Sequence, residues 1–429
     1  MYVKMAPSTI AMLVTVVAIL LFATEVIPLA ATAISAGIVL AATGVIGWSD
    51  AFAGFSANVP LIMIGGSIVA AGLEHTGAAE QFGKVVLKIG GTNQRWFTVI
   101  VFAVTAAMSS VMSNVATVAI MMPVVASACY ASHGKLLKKH TFMAIGIAAC
   151  MGGSLTLIGA PTNMLGSGFL ESAGEAPLTL FSFTPLGVIR VIVCIIFYAT
   201  IGYNLQQKVF DFEEEIPQLP ESDQDAPKKT PKEIAKMWTS FGILVLMVVG
   251  FITKIWPMPA VAMTCGMLTV ITGCIPMNTA FKKLPWNVIW VVAGASGLAA
   301  GMGKSGAGEL IATTVIGWLG GNPSLMGMMV AYTLLTFVMC NIMSATGLVS
   351  ILCPIAIIMF QKLGYNPSYI VLVICTALNM ACVVPYATSP ITMTMEGGYR
   401  FMDYVKVGGV LAVINVIVQI LSYPFVFSL

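Results

Sequence analysis

Apolar runs of helix length recur along this chain, clearest at residues 8–24, 30–47, 183–203, 238–253 and 407–428. A helix needs about 20 mostly apolar residues to cross ~30 Å of hydrocarbon. In lipid, only helices and closed barrels satisfy every backbone polar group. A barrel would show alternating segments of about 10 residues, so these runs specify an all-α polytopic membrane protein. Composition agrees: 58% of the residues are hydrophobic, 9% are charged and the mean hydropathy is +0.96, whereas a soluble domain carries roughly 25% charged residues. The net charge of +3, with no stripe of Lys and Arg, argues against a nucleic-acid partner. Nine cysteines without a CxxC pair indicate neither a zinc site nor a disulfide framework and read as apolar packing. The first apolar run continues straight into a repeat, so it reads as a span and not as a cleaved leader.

The chain is duplicated. Residues 22–80 align without a gap on 251–309, an offset of 229. Pro28 meets Pro257, Thr43-Gly44 meets Thr272-Gly273, and Asn58-Val59 meets Asn287-Val288. Gly65, Ser67, Gly72, Gly77 and Glu80 meet Gly294, Ser296, Gly301, Gly306 and Glu309. Apolar bias alone does not align Gly, Thr, Asn, Pro and Glu. Residues 1–206 form a first repeat and 237–429 a second. The polar stretch 207–236, with Glu213-Glu214-Glu215 and three prolines, is a flexible cytoplasmic linker.

Orientation follows from counting. The first half has spans near 8–24, 30–47, 59–82, 141–170 and 183–205, with 97–130 as a re-entrant hairpin. Five crossings make the second half inverted, with its own hairpin at about 324–360 and a broken helix at about 368–395. One face then holds Lys84, Lys88, Arg95, Lys135, Lys138, Lys139, Lys208, Lys228, Lys229, Lys232, Lys236, Lys282, Lys283, Arg400 and Lys406. The other holds Lys4, Lys254 and Lys362, while Arg190 and Lys304 lie within or beside helices and are unassigned. The positive-inside rule makes the crowded face cytoplasmic, in an inner or plasma membrane, and puts both termini outside.

Each half carries two interrupted apolar segments. The first interruption is Met112-Ser113-Asn114-Val115-Ala116-Thr117 ahead of Pro123, matched by Met343-Ser344-Ala345-Thr346-Gly347 ahead of Pro354. The second is Gly152-Gly153-Ser154-Leu155-Thr156 followed by Gly159-Ala160-Pro161-Thr162-Asn163, the broken helix of 141–170. It is matched by Pro385-Tyr386-Ala387-Thr388-Ser389-Pro390, near Asn379. Irregular backbone at membrane depth is tolerated only where protein or a water-filled cavity satisfies it. Corresponding breaks in inverted repeats point to a transporter site near the midplane. Half-helix N-termini aim N–H groups at an anion, and freed carbonyls ligate a cation such as Na⁺.

These segments resemble the divalent anion:sodium symporter family, which carries dicarboxylates, citrate or sulfate. GGSIVAAGLEHTGAAE and its copy, SNVAT with SATGL, GGSLTLIGAPTN and VVPYATSP carry the likeness. The resemblance implies a homodimer whose transport part moves the site like an elevator. It implies that Ser113 and Asn114 contact one end of the anion and a first sodium, with Thr162 and Asn163 completing that half. Ser109, Gly153 and Gly159 would help hold that ion. Ser344 and Thr346 would serve the other end, with Thr388, Ser389 and Pro390, and Ser344 and Ala387 would face a second sodium. The chain departs from the family pattern at Val115, Ala345 and Ile391, where a hydroxyl or amide is usual, and Cys340 stands one turn before the second signature. Those losses leave sodium symport and sodium-independent anion exchange both open.

Other readings are weaker. A cation/proton antiporter or arsenite-type permease of the wider superfamily usually wants an ionisable residue within a span, yet the acids fall at predicted span ends. An intramembrane enzyme would need a Ser–His pair, HExxH or paired aspartates. The only histidines, His75, His133 and His140, fall at predicted interfaces and read as solvated loop residues. No soluble sensor domain supports a receptor. Glu74, Lys304 and Glu309 are expected to face lipid headgroups.

Overall fold

A computed structural model describes residues 6–78, 81, 91–132, 134–212, 230–318 and 323–427. Glu80, Lys84, Lys88, His133 and most of the polar linker lie outside the described residues. The first half runs α1 (Pro7–Thr24), α2 (Leu29–Ala42), α3 (Trp48–Phe52), α4 (Asn58–His75), α5 (Gln94–Ser109), α6 (Asn114–Ala131), α7 (Phe142–Gly153), α8 (Pro161–Ser172), α9 (Thr184–Ala199) and α10 (Ile201–Val209). The second runs α11 (Pro231–Thr253), α12 (Met258–Ile271), α13 (Met277–Lys283), α14 (Trp286–Ser305), α15 (Ala307–Trp318), α16 (Leu325–Met339), α17 (Ala345–Lys362), α18 (Pro367–Leu378), α19 (Ser389–Met393) and α20 (Phe401–Val426). It is an all-α membrane protein of two inverted repeats, each with a re-entrant hairpin, α5–α6 or α16–α17, and a broken helix, α7–α8 or α18–α19.

Among the described residues, six helices are each long and apolar enough to cross a membrane, and α9 with α10, bent by 56° at Thr200, makes a seventh if the pair is one span. The remaining crossings are assembled from shorter pieces, which is why the breaks matter. Helix starts have local causes. Asn93 accepts hydrogen bonds from Arg95 N at 3.1 Å and Trp96 N at 3.3 Å, capping α5. Thr230 and Glu233 form a capping box ahead of α11. Pro161 opens α8, where its missing N–H costs nothing. The pseudo-symmetry reaches the backbone: Glu25 and Lys254, related by the offset of 229, are among the described residues the positive-φ residues other than glycine (φ 50° and 52°), each closing the first helix of its half.

The repeats are intertwined. Helix α4 packs most extensively on α12, and α14 on α2, so the third long helix of each half rests on the second helix of the opposite half. Glycine permits this contact. A Cβ on Gly65 would lie 2.3 Å from the Ala262 carbonyl, and one on Gly294 would lie 2.8 Å from Ile34 N. Between helices in lipid, close van der Waals approach through small residues replaces the hydrophobic drive. The outer helices α1, α11 and α20 leave apolar side chains exposed, among them Leu20, Ile252 and Phe425, as lipid-facing surfaces do.

Polar contacts sort the helix ends into two sets. Asn58 with Glu171, Lys304 with Asp50, Lys362 with Glu309 and Gln361 with Glu175 form one. Glu74 with Lys283, Arg95 with Asn204 and the Lys139 carbonyl with Tyr399 form the other. Glu74, Lys304 and Glu309 are each paired with an opposite charge of a neighbouring element within 3.0 Å, while Lys304 and Glu309 keep most of their side chains exposed (56% and 75%).

His140 departs from the sequence reading. It is buried, its ring packed 6.1 Å from Phe210 and 5.9 Å from Tyr203, with Nδ1 lacking a partner. His75 Nδ1 lies 3.1 Å from the Cys274 carbonyl. Burial, and then the charge of Lys139, push the His140 pKa down to about 4. The folded state therefore keeps this imidazole neutral, while the unfolded chain takes up a proton near pH 6.5. Stability from this group is complete above that value and is lost as the pH falls towards 4. Melting temperatures in detergent should drop between pH 7 and pH 5, and His140→Phe should flatten that part of the profile. A variant profile parallel to wild type would remove His140 as the cause.

Candidate functional site

The first half-site forms where the α5–α6 turn meets the break between α7 and α8. Ser109 closes α5 and Asn114 opens α6, so the partial negative end of one helix and the partial positive end of the other meet at the same turn. Ser109 Oγ donates to the Ala149 carbonyl at 2.8 Å. With Nδ2 turned inward, the Asn114 amide donates to Ser109 Oγ at 2.8 Å and to the Gly159 and Ala149 carbonyls at 3.1 Å each. With Oδ1 turned inward, the same atoms present converging oxygens with one proton, that of Ser109, among them. That is the donor set of a hard monovalent cation.

The surrounding backbone leaves no slack. A Cβ on Gly153 would lie 2.5 Å from Asn114 Oδ1, and one on Gly159 would lie 2.7 Å from the Gly153 carbonyl and 3.1 Å from that of Ser109. Asn163 holds the break together. Its Nδ2 donates to the Gly153 and Thr156 carbonyls at 2.9 Å each, while its buried Oδ1 has no donor. Thr156 Oγ1 donates to the Ser110 carbonyl and accepts from Gly159 N at 3.1 Å. Asn163 is therefore a brace of the loop, and Thr156, which sequence reasoning assigned no role, is its second brace. Ser113 stands apart, exposed, with Oγ accepting from Ala116 N at 3.2 Å and its proton free for a ligand. The structure thus brings Ser109, Asn114, Gly153, Gly159 and Asn163 together at the break, whereas Ser113 faces outward and the Thr162 carbonyl meets Cys375 of the other half.

The second half-site is built differently. Ser344 Oγ accepts from Gly347 N at 3.2 Å, capping α17, and donates to the Glu25 carboxylate at the end of α1. The partners of Ser344 lie there and not on Thr388–Pro390. Around the second break, side chains already occupy the carbonyls. Gln419 donates to Val373 O at 3.2 Å, Asn379 to Cys375 O at 3.0 Å, Arg190 to Thr376 O at 2.6 Å and Thr392 to Pro385 O at 2.9 Å. Thr388 and Ser389 open α19, and Pro390 and Ile391 are buried against α7 beside Gly146. The two halves touch reciprocally: Cys150 of α7 lies 3.7 Å from Thr388 Oγ1, and Cys375 of α18 lies 3.5 Å from the Thr162 carbonyl.

A profile of the citrate-transporter family (CitMHS) matches residues 19–256 and 248–429, nearly the whole chain. The chain belongs to the citrate-transporter family. The transporter is similar to sodium-dependent high-affinity dicarboxylate transporter 3 of Caenorhabditis elegans, 23% identical over 460 residues that cover 92% of this chain and 79% of that one. An uncharacterized transporter of Synechocystis sp. is 28% identical over 191 residues, 44% of this chain. The alignment spans 31% of that relative's length. Among solved structures, Neisseria gonorrhoeae MtrF, described as one of a class of antimetabolite efflux pumps, superposes with a TM-score of 0.67 at 13% identity and covers 99% of this chain and 96% of that one. The likeness is one of fold. The protein is a membrane transporter and not an enzyme.

A cleft of about 100 Å³ borders the transporter's first half-site. One wall is α4, with Gly66, Ser67, Ala70 and Ala71; the other is Ser113, Ala116, Ile158 and Pro161. The Glu74–Lys283 ion pair, 2.7 Å long, stands among its lining residues. Among the described residues, no cluster of three or more His, Cys, Asp or Glu side chains could hold a metal ion.

Proposed function

We propose that this transporter carries a small dicarboxylate-type anion by secondary active transport, coupled to sodium bound at the first half-site. The observation that carries the reading is the ring formed by Ser109, Asn114 and the Ala149 and Gly159 carbonyls, satisfied by the amide in one orientation and left as converging oxygens in the other. Sodium suits it because the ring has no formal charge and its oxygens are hard. The sodium-dependent dicarboxylate relative supports the same coupling. Ser113, at the edge of the cleft with a free hydroxyl proton, is the anion's contact, with the N-terminus of α6 behind it.

An elevator-type alternating access fits the packing. The intertwined α2, α4, α12 and α14 make a frame closed by backbone-to-backbone contact, whereas α5, α6, α7, α9 and α20 share a separate apolar core across the cleft. Small residues on both cleft walls let one body slide past the other. The sidedness that goes with this reading places the Glu74–Lys283 set of helix ends in the cytoplasm, both termini outside, and a homodimer in an inner or plasma membrane.

Uptake of labelled succinate, malate, citrate and sulfate into proteoliposomes, with and without an inward sodium gradient, tests the function. Sodium-driven uptake of a dicarboxylate is the expected result. Uptake only into vesicles preloaded with an anion would instead make the protein an exchanger. For the sidedness, a cysteine placed at Ser222 in the linker should react with an impermeant thiol reagent only from the cytoplasmic side, and labelling from outside would invert the topology.

A further inference from the structure

Arg190 sits in the middle of α9 with no solvent exposure, and among the described residues it makes no ion pair. Its guanidinium donates from Nη1 to the Thr376 carbonyl at 2.6 Å, while Nη2 lies 3.1 Å from Met151 Sδ. Nε has no partner. A guanidinium stays charged in any protein environment, and one carbonyl dipole and a thioether do not neutralise it. A charge within the membrane is a functional hypothesis by default, because it is costly to keep there.

Its position gives it meaning. Met151 is in the last turn of α7, next to Gly152 and Gly153 of the first break, and Thr376 is in the last turn of α18, just before the second. Arg190 therefore bridges the two broken helices at the level of both breaks. Gly187, one turn away on α9, lies directly against the backbone of Ser154 and Leu155 in the first break. Cys150, which contacts Thr388, and Cys340 at the second hairpin tip are both within the guanidinium's electrostatic reach. At Ala345 and Ile391 the second half carries no side-chain amide or hydroxyl to help hold a cation. Its carbonyls are taken by Gln419, Asn379, Thr392 and Arg190 itself.

We infer that Arg190 is a fixed positive charge that sets the charge of the transported anion, matching a dianion together with the one exchangeable cation of the first half-site. The inference rests on the transport reading above. It treats Arg190 as a positioning residue acting through the electrostatic field of the site, without direct contact with the anion. A cap for the α18 carbonyls alone would need only a donor; selection by charge needs the charge.

The test compares succinate with its monoamide, which has nearly the same shape and one charge fewer, in proteoliposomes at pH 8 under a sodium gradient. Wild type should take up succinate at least ~10-fold faster. Arg190→Gln, which keeps a donor for Thr376, should bring that ratio close to one, and Arg190→Lys should preserve it. A ratio unchanged in Arg190→Gln, with both rates lowered alike, would mean a purely structural role and overturn the proposal. So would a wild-type ratio near one, a readout that needs no variant to fold. Absence of uptake of either compound by wild type would instead overturn the transport reading, and this inference with it.

Discussion

Replacing Asn114 by alanine is expected to lower sodium-driven uptake by on the order of 100-fold while leaving the protein folded. By turning over, the side-chain amide presents either its nitrogen or its oxygen to the same atoms, Ser109 Oγ and the Ala149 and Gly159 carbonyls. Removing it leaves those buried oxygens without their partner in one state and the cation without a ligand in the other. Leaving buried polar groups unpaired costs about 1–3 kcal/mol, and 1.4 kcal/mol is a factor of 10 in affinity. The fold should survive because Ser109 still bonds Ala149 and because Asn163 and Thr156 still brace the break. Uptake and its sodium dependence, measured beside the melting temperature in detergent, separate the two effects. Wild-type uptake by Asn114→Ala would remove the site assignment altogether.

The second large effect concerns the frame. Gly65→Val should cost the folded state more than the ~1–3 kcal/mol typical of overpacking. The atoms a Cβ would meet, at 2.3 Å, are the carbonyl carbon and oxygen of Ala262, and backbone cannot rotate aside as a side chain can. Helices α4 and α12 would have to separate along their whole crossing. We expect a melting temperature lower by on the order of 5–10 °C, or no folded protein recovered. Gly303→Ala, on α14 where nothing lies within 4 Å of the added carbon, is the control and should behave as wild type. If Gly65→Val melts like that control, the close crossing does not hold the two repeats together.

Much of this architecture is legible without coordinates, for a local reason. In hydrocarbon the backbone must bond to itself, so a run such as 8–24 has one outcome, and α1 covers it as Pro7–Thr24. The offset of 229 and the paired interruptions at Ser113-Asn114 and Ser344-Ala345 likewise need only alignment, and the residues of the first half-site gather because they lie in the turn and the break themselves. What the tertiary structure alone decided depends on contacts between residues far apart in the chain. No pattern along the sequence shows that Gly65 meets Ala262, or that Glu25 reaches Ser344, 319 residues away. The same holds for the burial of His140 under Phe210 and for the pairing of Glu74 with Lys283. Arg190 is the plainest case. As a sequence position it is one arginine in an apolar run; only the approach of Thr376 and Met151 from two other helices shows a charge held between both breaks. Periodicity and hydropathy report what a segment must do with its own backbone, whereas the partner of a side chain is settled by how the helices pack.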